Sequence, residues 1–490
     1  MSHPLGRLAR GTLIYGVGGA LTRLLALLLL PVFTAYLSTA EYGAVATLTL
    51  LSAALTGVFS CGLTVAIGLR YFEKAAPAHR SATIWTAFAV LSASVGVLLV
   101  LGACTYRLAA EWLFANDRYG DVVLLSIFAS GAGILVQPLS LYFQYRERAV
   151  EFAAISLASA VVGAAVSLYL VVALGRGVTG IVVGTLVAQV AALVMFLTDA
   201  LRAAPPALDH NTARSLLRRG LPMVPSFLCL YILLQGNQVV LKEISGLNEL
   251  GVYSVEFSLG MAMSLLINAF TTAWPPFFLS YWNDRDRAQQ LFRQAFTYYL
   301  LALGTVSLLF FVWAKPVVMT VAAKSYLESY RVVGWAATAQ LLSGVFSLLL
   351  PAAYFSGRVG VVTPVQALSA VVSAGAAIGL IRSFGVTGAA YSLVLGYLAM
   401  CALQYAWNRA GQKVFQMTYD WHRIGRFVAG YLLIAVTFAT MEPGAFWPEI
   451  LKSAAGSVVA GLLVLALLTE QERRLVFERI RAVSRPASTE

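Results

Sequence analysis

Two charged side chains, Arg23 and Glu256, fall inside long apolar segments of the sequence. Arg23 lies near the middle of an apolar run from Thr12 to Leu37. A cation at the centre of a bilayer costs roughly 2.5 to 3.5 kcal/mol on insertion scales. Arg23 therefore needs an anionic partner or a water-filled cavity. The sequence leaves open whether it forms a structural ion pair or binds an anionic substrate.

Glu256 lies about two turns into a later apolar segment, and it is the only acid that we place inside a span. It could pair with Arg23, or with Lys242 at the end of the preceding span. A carboxyl group in such a place could also take up and release a proton during transport. Pairing and coupling are both compatible with the sequence.

Clustered side-chain amides are the second group of residues that could bind a substrate. The run Gln235-Gly236-Asn237-Gln238 lies in one apolar segment, and Asn268 lies in the next. Amide groups can bond sugar hydroxyls, but they also hydrogen-bond one helix to another in bilayers. With both interpretations open, we predict one substrate-binding set that consists of Arg23, Gln235, Asn237, Gln238 and Asn268.

Several chemistries have no motif in this sequence. It contains no GxxxxGK[ST] loop, so a built-in ATPase is not expected. The histidines have no metal-ligand spacing and the cysteines have no paired spacing. No outer loop is large enough for a catalytic domain. We therefore predict a protein without enzymatic activity, metal or cofactor. The residues concerned are His3, His79, His210, His422, Cys61, Cys104, Cys229 and Cys401.

The elements that position these residues are membrane-spanning helices. The chain is 59% hydrophobic and 11% charged, against about a quarter charged in an ordinary soluble domain. Apolar stretches long enough to cross the bilayer recur along its whole length. They predict about fourteen helices, at approximately 12–37, 42–69, 82–104, 122–145, 152–174, 178–200, 221–242, 250–279, 295–314, 332–356, 360–381, 386–407, 425–441 and 450–469.

Charge distribution gives the orientation. One side of these spans, which includes both termini, carries 24 of the 34 basic residues and 12 of the 22 acids. The other side carries 9 of each, so the net charge of +12 belongs to one face. The positive-inside rule then predicts cytoplasmic N- and C-termini. An excess spread over many short loops also argues against nucleic acid as a partner.

Two motifs recur at the same spacing. GVTG occurs at residues 177–180 and again at 385–388, and 385 minus 177 is 208. Glu41-Tyr42-Gly43 corresponds to Glu249-Leu250-Gly251 at the same offset. A third match, Tyr142 with Tyr354, is offset by 212. The order and spacing of these matches indicate an internal repeat.

The repeat predicts the domain organisation. A six-helix lobe at 1–212 is followed by a second at 213–416, then by two additional helices at 417–470 and a cytoplasmic tail at 471–490. Six is even, so both lobes have the same orientation. Parallel repeats of this kind are related by an axis along the membrane normal, and secondary transporters place the substrate path at the repeat interface. The glycines of GVTG suit a tight turn or a close helix contact.

The run RLLALLLLPVFTAYLSTAEYGAVATLTLL, from Arg23 to Leu51, resembles the opening of a known family. The features that match are the arginine in the first helix, Pro31, and the Leu-Ser-x-x-Glu-Tyr-Gly turn. They are similar to those of bacterial polysaccharide (O-antigen-type) flippases. These proteins form the polysaccharide transporter family within the multidrug/oligosaccharidyl-lipid/polysaccharide exporter superfamily.

The resemblance implies a flippase of the bacterial cytoplasmic (inner) membrane that serves lipopolysaccharide and other surface polysaccharides. It would translocate a polyprenyl-diphosphate-linked oligosaccharide by alternating access, with Arg23 meeting the diphosphate. The implied partners are that lipid-linked oligosaccharide, membrane lipids, and the polysaccharide polymerase and export machinery. The main alternative is a drug/cation antiporter of the same superfamily, which commonly uses buried carboxylates in the first lobe. A membrane enzyme that acts on glycan is a third possibility.

Overall fold

Apolar helices make up nearly all of the described chain. The computed structural model describes residues 21–22, 24–73, 77–116, 119–146, 148–203, 205–281, 284–323, 325–326, 330–410, 417–441, 445–470 and 472. Within those ranges there is no β-strand. Arg23 lies outside the described residues, so its predicted role stays a prediction.

Among the described residues, eleven helical runs are long and apolar enough to cross a membrane. Two of them, of 70 and 52 residues, are too long for one span of about 20 residues. Each contains a non-helical glycine, Gly246 with φ 88° or Gly385 with φ 57°. Eleven runs plus two such divisions give thirteen spans, and the apolar helix Leu24–Tyr36 adds a fourteenth. The predicted all-α membrane protein with about fourteen helices is confirmed.

By its backbone contacts the chain divides into two compact units. The first comprises Met1–Leu259, Val321–Ser329 and Gly360–Met400, and it contains a hydrophobic core formed by residues between Ala44 and Leu217. In chain order the helices of this unit are α1 (Leu24–Tyr36), α2 (Thr39–Phe59), α3 (Leu63–Glu73), α4 (Pro77–Phe114), α5 (Gly120–Tyr145), α6 (Ala149–Leu168, extended by a π-helical turn at Tyr169–Ala173), α7 (Gly177–Ala203), α8 (His210–Gly220), α9 (Val224–Gly260) and, later in the chain, all of α15 (Val362–Ala410) up to Met400.

The second unit comprises Gly260–Thr320, Tyr330–Val359 and Cys401–Glu490. Its core is rich in aromatic side chains. Its helices are α10 (Ser264–Leu279), α11 (Arg285–Val312), α12 (Ala314–Val321), α13 (Arg331–Leu349), α14 (Pro351–Phe355), the end of α15 (Val362–Ala410), α16 (Trp421–Thr440) and α17 (Phe446–Leu467). The predicted lobe boundaries at residues 212 and 416 stay a prediction.

The Leu-Ser-x-x-Glu-Tyr-Gly turn is a helix start with a capping box. The Ser38 hydroxyl accepts a hydrogen bond from the Glu41 backbone N–H at 3.3 Å, and a Glu41 carboxylate oxygen accepts one from the Ser38 backbone N–H at 2.9 Å. Reciprocal bonds of this type satisfy amide groups that the first turn of a helix leaves without partners. Serine and glutamate at this spacing therefore fix where α2 begins.

The two copies of the second repeat motif meet each other. A β-carbon added to Gly43 would lie 1.9 Å from the backbone oxygen of Leu247, and one added to Gly251 would lie 1.9 Å from that of Thr39. Both 251 minus 43 and 247 minus 39 equal 208. The Thr39 hydroxyl also donates to Asn248 at 2.8 Å. Reciprocal contacts between equivalent residues are what a two-fold relation produces, so they support the predicted parallel repeat.

GVTG has the same backbone role in both copies. The first glycine has positive φ in each, 46° at Gly177 and 57° at Gly385, a region that glycine enters without steric cost. The second glycine packs on the backbone of the preceding helix. A β-carbon on Gly388 would lie 2.1 Å from the Leu380 oxygen, and one on Gly180 would lie 3.2 Å from the Val171 nitrogen. The motif therefore makes a tight turn with close helix contact, as its glycines predict.

The predicted helix pattern is wrong at three places. The helix predicted at 42–69 is broken by a turn in which Cys61 and Gly62 have φ of 52° and 62°. The connection predicted at 201–219 contains a helix, α8, whose first turn is capped by Asp209. The last helix begins at Phe446, and so Glu449, which we had placed outside the spans, lies in its first turn. The break at Cys61 and Gly62 lies inside one continuous apolar run, and α8 is a short polar helix inside a charged connection. Neither changes the apolar lengths from which the spans were predicted.

A buried ion pair joins α12 to α17 in the second unit. Lys315 and Glu449 are 4% and 3% exposed, and their charged atoms lie 4.0 Å apart. The Lys315 ammonium also donates to the backbone oxygen of Met441 and lies 4.9 Å from the centre of the Tyr330 ring. Burial lowers the pKa of Lys315, and the Glu449 carboxylate opposes that shift. The cluster thus fixes α17 to the rest of its unit.

We expect Glu449→Gln to lower the free energy of unfolding by about 3 kcal/mol, because it leaves the buried Lys315 cation without its carboxylate. Thermal unfolding of the purified protein in detergent measures the change. Lys452→Gln is the matched control, since Lys452 contacts the same carboxylate at 2.9 Å but is 44% exposed. Exposed pairs contribute about 0 to 1 kcal/mol. Equal losses in the two variants would contradict a buried pair.

Candidate substrate site

The predicted amides lie on α9, before its kink at Gly246. Gln235, Asn237 and Gln238 occupy one continuous turn. The φ of 88° at Gly246 turns the chain there, so the second half of α9 can pack beside the first. Helix geometry places neighbouring residues of one turn on different faces. Gln235 and Gln238, three residues apart, share one face, and Asn237 lies on another.

Asn237 lies in the interior of the first unit, where it is 1% exposed. Its amide nitrogen donates to the Tyr253 hydroxyl at 2.7 Å and to the backbone oxygen of Ala389 at 2.9 Å. One side chain thereby joins both halves of α9 to α15. These bonds hold one helix to another, which is one of the two interpretations of the amides. A part of Asn237 in substrate binding stays a prediction. Its amide oxygen accepts no hydrogen bond from the described residues.

Gln235 and Gln238 form a pair of their own. The Gln238 amide nitrogen donates to the Gln235 side-chain oxygen, across one helical turn. Gln238 is buried and Gln235 is half-buried. The pair leaves the Gln235 amide nitrogen and the Gln238 oxygen to bond other groups. Of the predicted amides on α9, this pair has donor and acceptor capacity that suits a sugar hydroxyl.

The two predicted coupling residues occupy different halves of α9. Lys242 donates to the carboxylate of its neighbour Glu243 at 2.9 Å. Glu256 is 0% exposed and follows Tyr253 by three residues, so the two side chains lie on the same helix face. Tyr253, which receives the Asn237 bond, and Glu256 are therefore both buried on the second half of α9. Pairing of Glu256 with Arg23, or proton exchange at Glu256, stays a prediction.

Asn268 lies on α10, in the second unit. Its side chain is exposed, and its backbone oxygen accepts a hydrogen bond from the Thr272 hydroxyl at 2.7 Å. A role for it in substrate binding stays a prediction.

Tyr253 is the hydrogen-bond partner of Asn237 that sequence analysis missed. It is fully buried, stacks on Phe257 with ring centroids 5.4 Å apart, and receives the Asn237 bond. Asn237 and Tyr253 are sixteen residues apart, on either side of a glycine kink. A single tyrosine in an apolar segment carries no periodic signal, and only the fold of α9 onto itself brings the pair together.

Few of the described charged side chains are buried. Within the described ranges the buried ones are Glu256, Lys315 and Glu449. None of the Asp or Glu side chains described in α1 to α7 is buried. Buried intramembrane acids mark ion and proton pathways. The described part of the first six predicted spans therefore contains no buried acid that could mark an ion or proton pathway.

Solved structures of membrane flippases and transporters share this fold. The lipid II flippase MurJ, in an inward closed conformation, matches with a TM-score of 0.59 at 13% identity, over 95% of this chain and 100% of that one. An inward-facing multidrug resistance MATE family transporter of the MOP superfamily matches with 0.58 at 16% identity, over 80% and 97%. A MOP superfamily transporter from Pyrococcus furiosus matches with 0.55 at 15% identity, over 83% and 96%. The fold is that of MOP superfamily flippases and transporters.

A family model described as polysaccharide biosynthesis protein matches residues 8–282, which is more than half of the chain. The protein belongs to this polysaccharide biosynthesis family. No curated protein matches it in sequence. Family and fold together confirm the resemblance seen in the run from Arg23 to Leu51.

Proposed function

We propose that this multi-pass membrane protein is a flippase for a polyprenyl-diphosphate-linked oligosaccharide used in surface polysaccharide export. The family match over residues 8–282 carries the proposal. A protein of polysaccharide biosynthesis that has the fold of transporters supplies passage across the membrane rather than a covalent step. The proposed place is the bacterial cytoplasmic membrane, with both termini on the cytoplasmic side because the basic loops lie there.

Coverage by the solved structures favours a flippase over a drug/cation antiporter. The lipid II flippase matches 95% of the chain, whereas the two multidrug transporter conformations match 80% and 83%. The flippase match thus takes in nearly all fourteen spans. The lack of buried acids in the described part of α1 to α7 points the same way, because the drug/cation antiporters of the superfamily commonly use buried carboxylates in the first lobe.

The substrate chemistry suits the predicted residues. A diphosphate needs cationic hydrogen-bond donors, which Arg23 supplies. Sugar hydroxyls need groups that both donate and accept, which the Gln235 and Gln238 pair supplies. In this scheme Asn237 holds α9 and α15 in place, and Glu256 serves as the ion pair of Arg23 or as a proton site. Alternating access of the two lobes would then carry the head group across.

A chromosomal deletion of this protein is expected to abolish surface polysaccharide and to leave lipid-linked oligosaccharide on the cytoplasmic leaflet. The head group is too polar to cross hydrocarbon by itself, so its export stops without the flippase. Its synthesis on the cytoplasmic side does not need the flippase and continues. Extraction of the lipid-linked pool, with a membrane-impermeant glycan-cleaving reagent applied to intact spheroplasts, measures which leaflet holds it.

Complementation with the wild-type chain should restore both readouts. The same strains, grown with cationic drugs, test the antiporter alternative. Increased drug sensitivity together with normal surface polysaccharide would overturn the flippase proposal.

A further inference from the structure

The arginines on and beside the surface helix α8 are of two kinds: Arg70 of α3 and Arg219 form ion pairs, whereas Arg214 and Arg218 do not pair with any described residue. Glu73 contacts Arg70 at 2.7 Å and Arg219 at 3.4 Å, so one carboxylate serves both guanidinium groups. The hydrogen bond from Arg70 holds the pKa of Glu73 below its usual value, which keeps it ionised. Arg214 and Arg218 are exposed and form no ion pair with any described residue.

Arg214 and Arg218 are four residues apart and therefore lie on the same face of α8. Two like charges at this spacing destabilise an isolated helix slightly. With Asn211, Ser215 and Arg219 they line an open depression of about 650 Å³. Every lining side chain is a hydrogen-bond donor, and three of them are cationic. Such a surface fits an anion with several acceptor oxygens.

The opposite face of α8 is packed against protein. Leu216 is 0% exposed and belongs to the core of the first unit. Gly220 lies so close to the α2–α3 turn that a β-carbon on it would be 2.5 Å from the Cys61 oxygen. Asp209 accepts hydrogen bonds from the backbone N–H groups of Asn211 and Thr212, so the helix start is already capped. The arginines are therefore presented on a rigid support, and they must supply the anion contacts themselves.

The position of α8 along the chain favours a lipid phosphate as the anion. The helix ends at Gly220, and α9, which crosses the membrane, begins at Val224. Leu221 and Met223, in between, are exposed large apolar side chains, which suits contact with lipid. Arg218 precedes Val224 by six residues, which is about 9 Å along a helix at 1.5 Å per residue. A helix that immediately precedes a membrane span, on the predicted cytoplasmic side, is at the level where lipid phosphates are expected.

We propose that Arg214 and Arg218 of α8 form a binding site for the phosphate of an acidic phospholipid. Each arginine near an anionic lipid surface contributes favourably, and the contribution falls off within a Debye length. The site does not depend on which substrate the protein transports. It ties the segment next to the predicted lobe boundary to the lipid surface.

Photoreactive phosphatidylglycerol tests this site in the full-length protein, reconstituted in phosphatidylcholine vesicles. We expect cross-links in the peptide that contains residues 210–220, at a yield well above that of matched photoreactive phosphatidylethanolamine. The double variant Arg214→Gln/Arg218→Gln should lower the phosphatidylglycerol yield about fivefold to thirtyfold. Because both side chains are exposed, its melting temperature should stay that of the wild type.

The control variant Arg202→Gln/Arg426→Gln removes the same charge from exposed positions on the same predicted side, and it should leave the yield at α8 unchanged. Equal yields for the two phospholipids would overturn the proposal. So would an unchanged yield in the Arg214/Arg218 variant. Labelling of α8 by photoreactive undecaprenyl diphosphate alone would also overturn it, and would assign the arginines to the transported lipid instead.

Discussion

Alanine at Gly43 or at Gly251 is expected to destabilise the protein by about 1 to 3 kcal/mol and to reduce transport. The added methyl group would lie 1.9 Å from a backbone oxygen in either case, Leu247 or Thr39. A backbone atom cannot rotate away as a side chain can, so α2 and the second half of α9 must separate. Thermal unfolding in detergent and flipping rates in vesicles measure the two effects.

The double variant provides the sharper measurement. The first added methyl group already separates the two helices, so the second meets less resistance. The stability lost in Gly43→Ala/Gly251→Ala should therefore be smaller than the sum of the losses in the two single variants. Contacting residues show such non-additivity, with interaction energies of about 0.5 to 3 kcal/mol. Gly96→Ala is the control, because nothing lies within 4 Å of a β-carbon at Gly96. Fully additive losses would contradict a direct contact between the repeat-related glycines.

This contact shows what the sequence could predict and what it could not. The motif around Glu41 and its copy at Glu249 gave the repeat its register, and the span count followed from apolar length alone. That the copies touch could not be predicted, because sequence spacing says nothing about which faces meet. The capping box at Ser38 and Glu41 was visible in the residues, and the structure gives it the usual helix-start geometry.

The candidate site was predicted less completely, for a physical reason. Amides were recognisable by type, but the partners that separate their roles come from tertiary structure. Asn237 bonds Tyr253 and Ala389, sixteen and 152 residues away, whereas Gln238 bonds Gln235 three residues away. Only the Gln238–Gln235 bond joins residues at helical spacing, which a sequence pattern can reveal. Glu449 was misplaced because the Trp-Pro-Glu start of α17 was assigned to a loop, although proline and an acid are typical of a first helical turn.

Arg23→Ala is expected to lower the rate of flipping at least about thirtyfold, while the protein still inserts in the membrane. Truncating one member of a desolvated, hydrogen-bonded charge pair costs about 2 to 5 kcal/mol or more. If the partner is the diphosphate of the substrate, that loss falls on transport. Flipping of a fluorescent lipid-linked oligosaccharide in vesicles, normalised to the amount of reconstituted protein, measures it.

Arg23→Lys separates charge from geometry. A lysine keeps the positive charge but loses the planar fork that binds two phosphate oxygens at once, so we expect partial activity. Arg382→Ala, at an exposed arginine outside the predicted site, should transport at the wild-type rate. If Arg23 instead forms only a structural pair with Glu256, then Arg23→Ala/Glu256→Gln should restore both stability and flipping, because neither charge is left buried alone. Restored flipping in that double variant would remove Arg23 from the substrate site.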